Sequence, residues 1–159
     1  MPRTVIILGA KGRFGRAAAD AFVIAGWQVR SFARCPMEGS SAIKHIAGDA
    51  FDAQALARAA RGCEVIVNAL NPPYSRWQRD LPRLTTNVIA AAQASGATVM
   101  IQGNVYHYGA AMPARLAEDT PAAPTTRKGR LRAEMERAYA EAVAEGVRTI
   151  ILRAGDFIE

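Results

Sequence analysis

The chain has 159 residues, half of them hydrophobic and 21% charged, which suits one compact domain and excludes a disordered chain, a collagen and a coiled coil. No apolar run reaches the roughly 18 residues of a membrane span, and the start MPRTVIILGA turns to glycine and lysine too soon for a signal peptide, so a cytoplasmic protein with no membrane partner is expected. The net charge of +6 raises nucleic acid as a partner, but the basic residues are scattered singly without interleaved aromatics, so no nucleic acid is expected either.

Thr4 to Leu8 (TVIIL) is a β-branched run without polar alternation, the pattern of a central parallel strand buried on both faces. Arg13 to Ala25 then carries Phe14, Ala18, Phe22 and Ile24 at helical spacing, and Gly26 supplies a left-handed stop. Gln28 to Phe32 reads as a second strand and Ile43 to Ala47 as a third. Asp52 caps a helix from Ala53 to Arg61, with Gly62 closing it. Two cysteines, Cys35 and Cys63, show no CxxC spacing and read as reduced thiols.

Glu64 to Asn68 is a fourth strand, and the loop NPPYSRW after it continues neither element. A helix is predicted over Leu81 to Ser95, and a fifth strand over Ala97 to Gln102. Gly103 to Pro124 is polar, rich in proline and without periodicity, and so long a connection reads either as a functional loop or as a partly mobile one. Thr125 and Thr126 offer capping hydroxyls for a helix reaching Ala144, and Arg148 to Arg153 closes the series. Six strands with helices between successive pairs predict an α/β fold, a doubly wound parallel sheet of the Rossmann type in the order 3-2-1-4-5-6. Ligands in such sheets bind outside the carboxyl ends of the strands, where the order reverses between strands one and four.

The segment GAKGRFG puts Gly9, Gly12 and Gly15 between the first strand and the first helix. Glycine there permits a tight turn, lets backbone amides approach a pyrophosphate and seats the helix close to the strand. The helix start adds positive partial charge aimed at the phosphates. Lys11, Arg13 and Phe14 belong to the same loop. An acidic side chain at the end of strand two would accept the ribose hydroxyls of NAD, but Ser31, Phe32, Ala33 and Arg34 stand there. Arg34, with Lys11 and Arg13, therefore favours NADP over NAD as cofactor, although Lys11 and Arg13 also read as solvated loop charges. Asp49 either accepts the adenine amino group or serves as a helix cap. Ala69, Leu70 and Asn71, after strand four, are expected to bind the cofactor, and Asn71, Pro72, Pro73 and Tyr74 border its central ribose and nicotinamide.

Together GAKGRFG, Arg34, AGDAFD at 47–52, VNAL at 67–70, TNVIAAAQASGA at 86–97, NVYHYG at 104–109 and LRAGDF at 152–157 resemble the extended or atypical short-chain dehydrogenase/reductase superfamily. The likeness is strongest to its NAD(P)-dependent epimerase/dehydratase branch and covers nearly the whole chain. It implies an oxidoreductase working on a small carbonyl or nucleotide-sugar substrate, with a homodimer as a candidate assembly. It further implies that residues 1–159 are one NAD(P)-binding domain, ending where the family continues into a C-terminal substrate lobe.

The family uses a Ser or Thr after strand five and a Tyr-x-x-x-Lys pair on the next helix, and this sequence departs from all three. Asn104 falls at the Ser or Thr, Lys128 at the Tyr and Arg132 at the Lys. A second register would place Thr126 and Arg130 at the pair. Asn104 can still donate to a carbonyl oxygen and Arg132 to a ribose, and Lys128 is the member able to give up a proton. Equally, Lys128 and Arg132 read as a solvated helix face. His107, whose intrinsic pKa suits acid/base work, is the displaced candidate. Without the standard set, the alternative is a non-catalytic NADP-binding sensor or regulatory protein.

Overall fold

In the computed structural model, which describes residues 3–36 and 41–155, six parallel strands form one sheet. They are β1 (Thr4–Leu8), β2 (Gln28–Ala33), β3 (Ile43–Ala47), β4 (Val65–Asn68), β5 (Thr98–Gly103) and β6 (Thr149–Arg153), in the order β3-β2-β1-β4-β5-β6. The predicted topology is thus the observed one. The helices are α1 (Arg13–Ile24), α2 (Ala53–Ala60), α3 (Trp77–Ser95) and α4 (Arg127–Glu141), with single 3-10 turns at Tyr74–Arg76, Tyr106–Tyr108 and Ala142–Glu145.

Alternation of side chains across the strands splits the core into two layers. Ile6, Leu8, Ile66, Val99 and Ile101 face α2, α3 and α4, whereas Val5, Ile7, Val29 and Val67 face α1 through Ala19. All five residues of β1 are buried, which explains why the strand is apolar after Thr4 and shows no polar alternation. Each fully buried aliphatic side chain there contributes about 1.5–3 kcal/mol.

Two expectations are corrected. Among the described residues no helix lies between β2 and β3. The third helix starts at Trp77 rather than Leu81 and carries Pro82 inside it. The earlier start follows from Trp77, which is buried and donates its indole N–H to the Pro72 carbonyl (2.9 Å), and from Asp80, whose charge suits the first helical turn. The 103–124 stretch is pinned at three points: Asn104 Oδ1 accepts from the Tyr106 amide (3.0 Å), the His107 carbonyl from the Ala123 amide (2.9 Å) and Thr125 Oγ1 from the Ala110 amide (3.0 Å).

A buried polar knot holds β6 to the rest. Both carboxylate oxygens of Glu136 accept from Arg153 (3.0 and 2.8 Å), and the same guanidinium bonds the Asn104 carbonyl (2.6 Å) and His107 Nδ1 (3.2 Å). Burial pushes His107 below the usual histidine range; Glu136 pulls it up and Arg153 pushes it further down. The unfolded chain takes up this proton near pH 6.5 and the folded chain only at lower pH, so His107 stabilises the fold above about 6.5 and that contribution is lost as pH falls through the folded value. The melting temperature is expected to drop on acidification from about pH 7 to about pH 5, and His107→Gln to flatten that limb, as read by thermal melts across pH.

Gly15 sits where α1 touches the loop before it: a Cβ there would stand 2.4 Å from the Gly9 carbonyl oxygen and 2.9 Å from Ala10 Cα, both backbone. Gly15→Ala is expected to cost about 1–3 kcal/mol or more in denaturant unfolding, because neither neighbour is a side chain that can swing aside.

Candidate functional site

At the carboxyl ends of β1, β2, β3 and β4 the loops enclose a cleft of about 530 Å³. Its floor is backbone. Gly9 has φ +78°, a conformation L side chains rarely adopt, and a Cβ on it would lie 2.7 Å from the Ala69 carbonyl oxygen. The turn is closed by the Gly12 amide bonding the Gly9 carbonyl (3.0 Å). Helix α1 then begins with Gly12 as its cap residue, no side-chain cap and no acid in its first turn. Its first amides have no carbonyl within the helix to bond, which makes this end a seat for an anion.

Gly9, Lys11, Gly12, Arg34, Asp49, Ala69, Leu70 and Asn71 all line this cleft. The structure also sorts out the others named from the sequence. Phe14 packs into the α1-side core, Gly15 is buried under the turn, and Arg13 stands exposed at the first position of α1. Asp49 is exposed, and its Oδ1 accepts from the Phe51 amide (3.0 Å), while the cap of α2 is Asp52, accepting from the Ala55 amide (2.9 Å). Asp49 therefore shapes a turn at the cleft wall instead of capping a helix.

Several residues that build the site carry no motif. Asn68 holds the β4 loop by accepting from the Leu70 amide (3.2 Å) and donating to the Tyr139 hydroxyl (3.0 Å). That hydroxyl is fully buried, and burial pushes its pKa up, so it stays neutral. The loop after β3 is fastened to α3 by Asn87, which donates to the Ala50 carbonyl (2.8 Å), and by Arg83, over the Phe51 ring. Asp80 lines the cleft as a carboxylate, its pKa held down first by the Arg79 hydrogen bond and then by Arg76. Only the spacing Arg76, Arg79, Asp80 hinted at this trio; Asn87 lies in the 86–97 segment that carries the family resemblance, and Tyr139 had no signal in a single sequence.

The proposed proton-transfer residues separate. His107 is buried in the Arg153–Glu136 knot, 3.9 Å from Glu136 Oε2, and does not line the cleft. Asn104 is buried with its Oδ1 committed to the Tyr106 amide. Lys128 is exposed, its Nζ 4.0 Å above the centre of the Tyr74 ring, next to the cleft wall at Pro73. Arg132 corrects the solvated-face reading: it is only 8% exposed, its guanidinium lies 4.8 Å from the centre of the Trp77 ring, and Nε has no hydrogen-bond partner. Burial lowers its pKa, offset in part by Glu136 and three tyrosines.

No helix of the described residues is long and apolar enough to cross a membrane, and these residues contain no group of His, Cys, Asp and Glu fit to hold a metal. No curated protein matches the chain. Among solved structures it is similar to a short-chain dehydrogenase/reductase superfamily protein from Agrobacterium tumefaciens with bound NAD (24% identity, TM-score 0.77, covering 95% of this chain and 48% of that one). It is also similar to UDP-glucose 4-epimerase from Brucella ovis in complex with NAD (19%, 0.82, 95% and 51%). A third likeness is to uronate dehydrogenase from Agrobacterium tumefaciens (21%, 0.78, 92% and 58%). At these identities the likeness is one of fold, and the chain spans about half the length of those proteins. Residues 9–159, from the glycine turn onward, match the family described as NAD(P)H-binding, and the chain belongs to that family.

Proposed function

We propose that residues 1–159 form one dinucleotide-binding domain of a cytoplasmic oxidoreductase or epimerase/dehydratase that works with NADP on a small carbonyl or nucleotide-sugar substrate. The observation that carries this reading is the cleft itself: an uncapped helix start and a glycine turn on one side, and no carboxylate at the end of β2 on the other. The backbone of Gly9 to Gly15 fits a pyrophosphate because side chains there would meet main chain. Arg34 and Lys11, both exposed and lining the cleft, fit the 2′-phosphate. Asp49, Ala69, Leu70 and Asn71 border the adenine and ribose.

When bound, the nicotinamide supplies or takes a hydride. The chain's own part is to orient and to move a proton. Arg132 is a donor of hydrogen bonds that stays charged at ordinary pH, so of the α4 pair only Lys128 can hand over a proton. One observation favours the non-catalytic alternative: Asn104 and His107 are both tied into structural hydrogen bonds. A domain that binds NADP to regulate a partner would need neither.

Fluorescence titration is expected to give NADPH a lower Kd than NADH, and Arg34→Asp to cost NADPH about tenfold or more while sparing NADH. Equal affinity for the two would remove the NADP assignment; no binding of either would remove the function. Gly12→Ala should leave the melting temperature almost unchanged, since the nearest atom to its Cβ is 3.4 Å away, yet weaken nucleotide binding by crowding the amides. In a hydride-transfer screen over aldehydes, ketones and nucleotide sugars, Lys128→Ala is expected to abolish turnover and His107→Gln to keep it. A protein that binds NADPH but turns over nothing in that screen supports the sensor reading.

A further inference from the structure

The acidic side chains around the Pro73 end of the cleft are already matched. Asp80 is paired with Arg76 and Arg79 at 2.8 Å each, and both oxygens of Glu136 are taken by Arg153. Two of the cations of α4 are not matched: among the described residues neither Lys128 nor Arg132 has an ion pair. They stand four residues apart, hence on one face of the helix. Lys128 is held at the cleft edge by the Tyr74 ring, whose neighbour Pro73 lines the cleft. Arg132 borders a water-sized cavity of about 10 Å³ that shares Leu70 and Leu84 with the cleft, and Asn68 and Gln102 also face it.

This guanidinium is nine-tenths buried, with Nε unbonded and Nη1 engaged only by the Met135 sulfur at 3.6 Å, and the carboxylate that acts on it, Glu136, has both oxygens already bonded by Arg153. Hydroxyl groups of a ligand would satisfy its donors but not its charge, and only an oxyanion does both. Lys128 adds a second positive charge on the same face, and its three N–H donors let it reach a carbonyl oxygen and an oxyanion together.

We propose that Lys128 and Arg132 together seat an oxyanion, a carboxylate or a phosphate, carried by the substrate of this site. The proposal rests on the dinucleotide reading above and narrows its substrate class to anionic carbonyl or alcohol compounds.

The test begins with NADPH titration of the full chain, which judges the dinucleotide reading by itself. Protein saturated with NADP+ is then treated with an amine-acylating reagent, and modification of Lys128 is followed by mass spectrometry in the presence of glucuronate, glucose or inorganic phosphate. Glucuronate or phosphate is expected to slow acylation of Lys128 severalfold at millimolar concentration while glucose does not, and which of the two acts tells a carboxylate from a phosphate. By calorimetry on the same complex, Lys128→Ala should weaken binding of the protecting anion roughly tenfold or more. Arg132→Lys, which keeps the charge, should weaken it less than Arg132→Met. Protection by glucose equal to that by glucuronate, protection by none of the three, or anion binding unchanged in Lys128→Ala would each overturn the proposal. NADPH binding that survives such a result leaves the dinucleotide reading standing.

Discussion

The site depends on backbone meeting backbone at the crest of the sheet. Gly9 passes so close to the Ala69 carbonyl, and Gly15 to the Gly9 carbonyl, that no side chain fits between them. The contact brings the start of α1 directly above the gap between β1 and β4. Because Ala69 in turn bonds the Leu8 carbonyl (3.0 Å) and Asn68 fixes Leu70, the loop after β4 is set at the same height as the glycine turn. The cleft floor is a consequence of these short distances and would open if either glycine were replaced.

The walls are fixed by α3. This helix reaches back to both loops that flank the floor: Trp77 bonds the Pro72 carbonyl, and Asn87 bonds the Ala50 carbonyl. Those two bonds are ten residues apart on one rod, so the Pro72–Pro73 wall and the Ala50–Phe51 wall cannot move independently without breaking one of them. Asp80 lies between them and is neutralised by two arginines, which keeps an uncompensated negative charge away from a pocket suited to anions.

How much could be read in advance follows from the range of the interactions. The sheet order, the Gly9–Gly15 turn, the six strands and the Thr126 and Asp52 caps rest on contacts within a few residues or on periodicity, and the structure has them where the sequence put them. The start of α3 differs because Trp77 and Asp80 outweigh the breaking signal of Pro72, Pro73 and Pro82, and the indole bond from Trp77 to the Pro72 carbonyl, five residues back, needs a side-chain geometry that no pattern of residue types shows. Arg132 looked like one more charge on a polar helix; its burial depends on Trp77, 55 positions away in sequence, whose ring supplies the surface it lies on. His107 had the right chemistry and the right loop, but its partners Glu136 and Arg153 come from α4 and β6, and nothing local signals that they converge on it.

The excess of positive charge takes on a meaning in three dimensions that it lacks along the chain. Arg76, Arg79 and Arg153 are spent on carboxylates, Arg30 on the carbonyls of Ala59 and Arg61 at the end of α2, and Arg83 and Arg148 on further carbonyls. What remains in the cleft wall is Lys11 and Arg34, beside the uncapped start of α1, while Lys128 and Arg132 stand on α4 against Tyr74 and Trp77. A surface that gathers nucleic acid spreads its cations along a face to follow a backbone of phosphates. Here Lys11 and Arg34 stand in the wall of a pocket of about 530 Å³, a volume suited to small molecules, so the same net charge argues for a small anionic ligand.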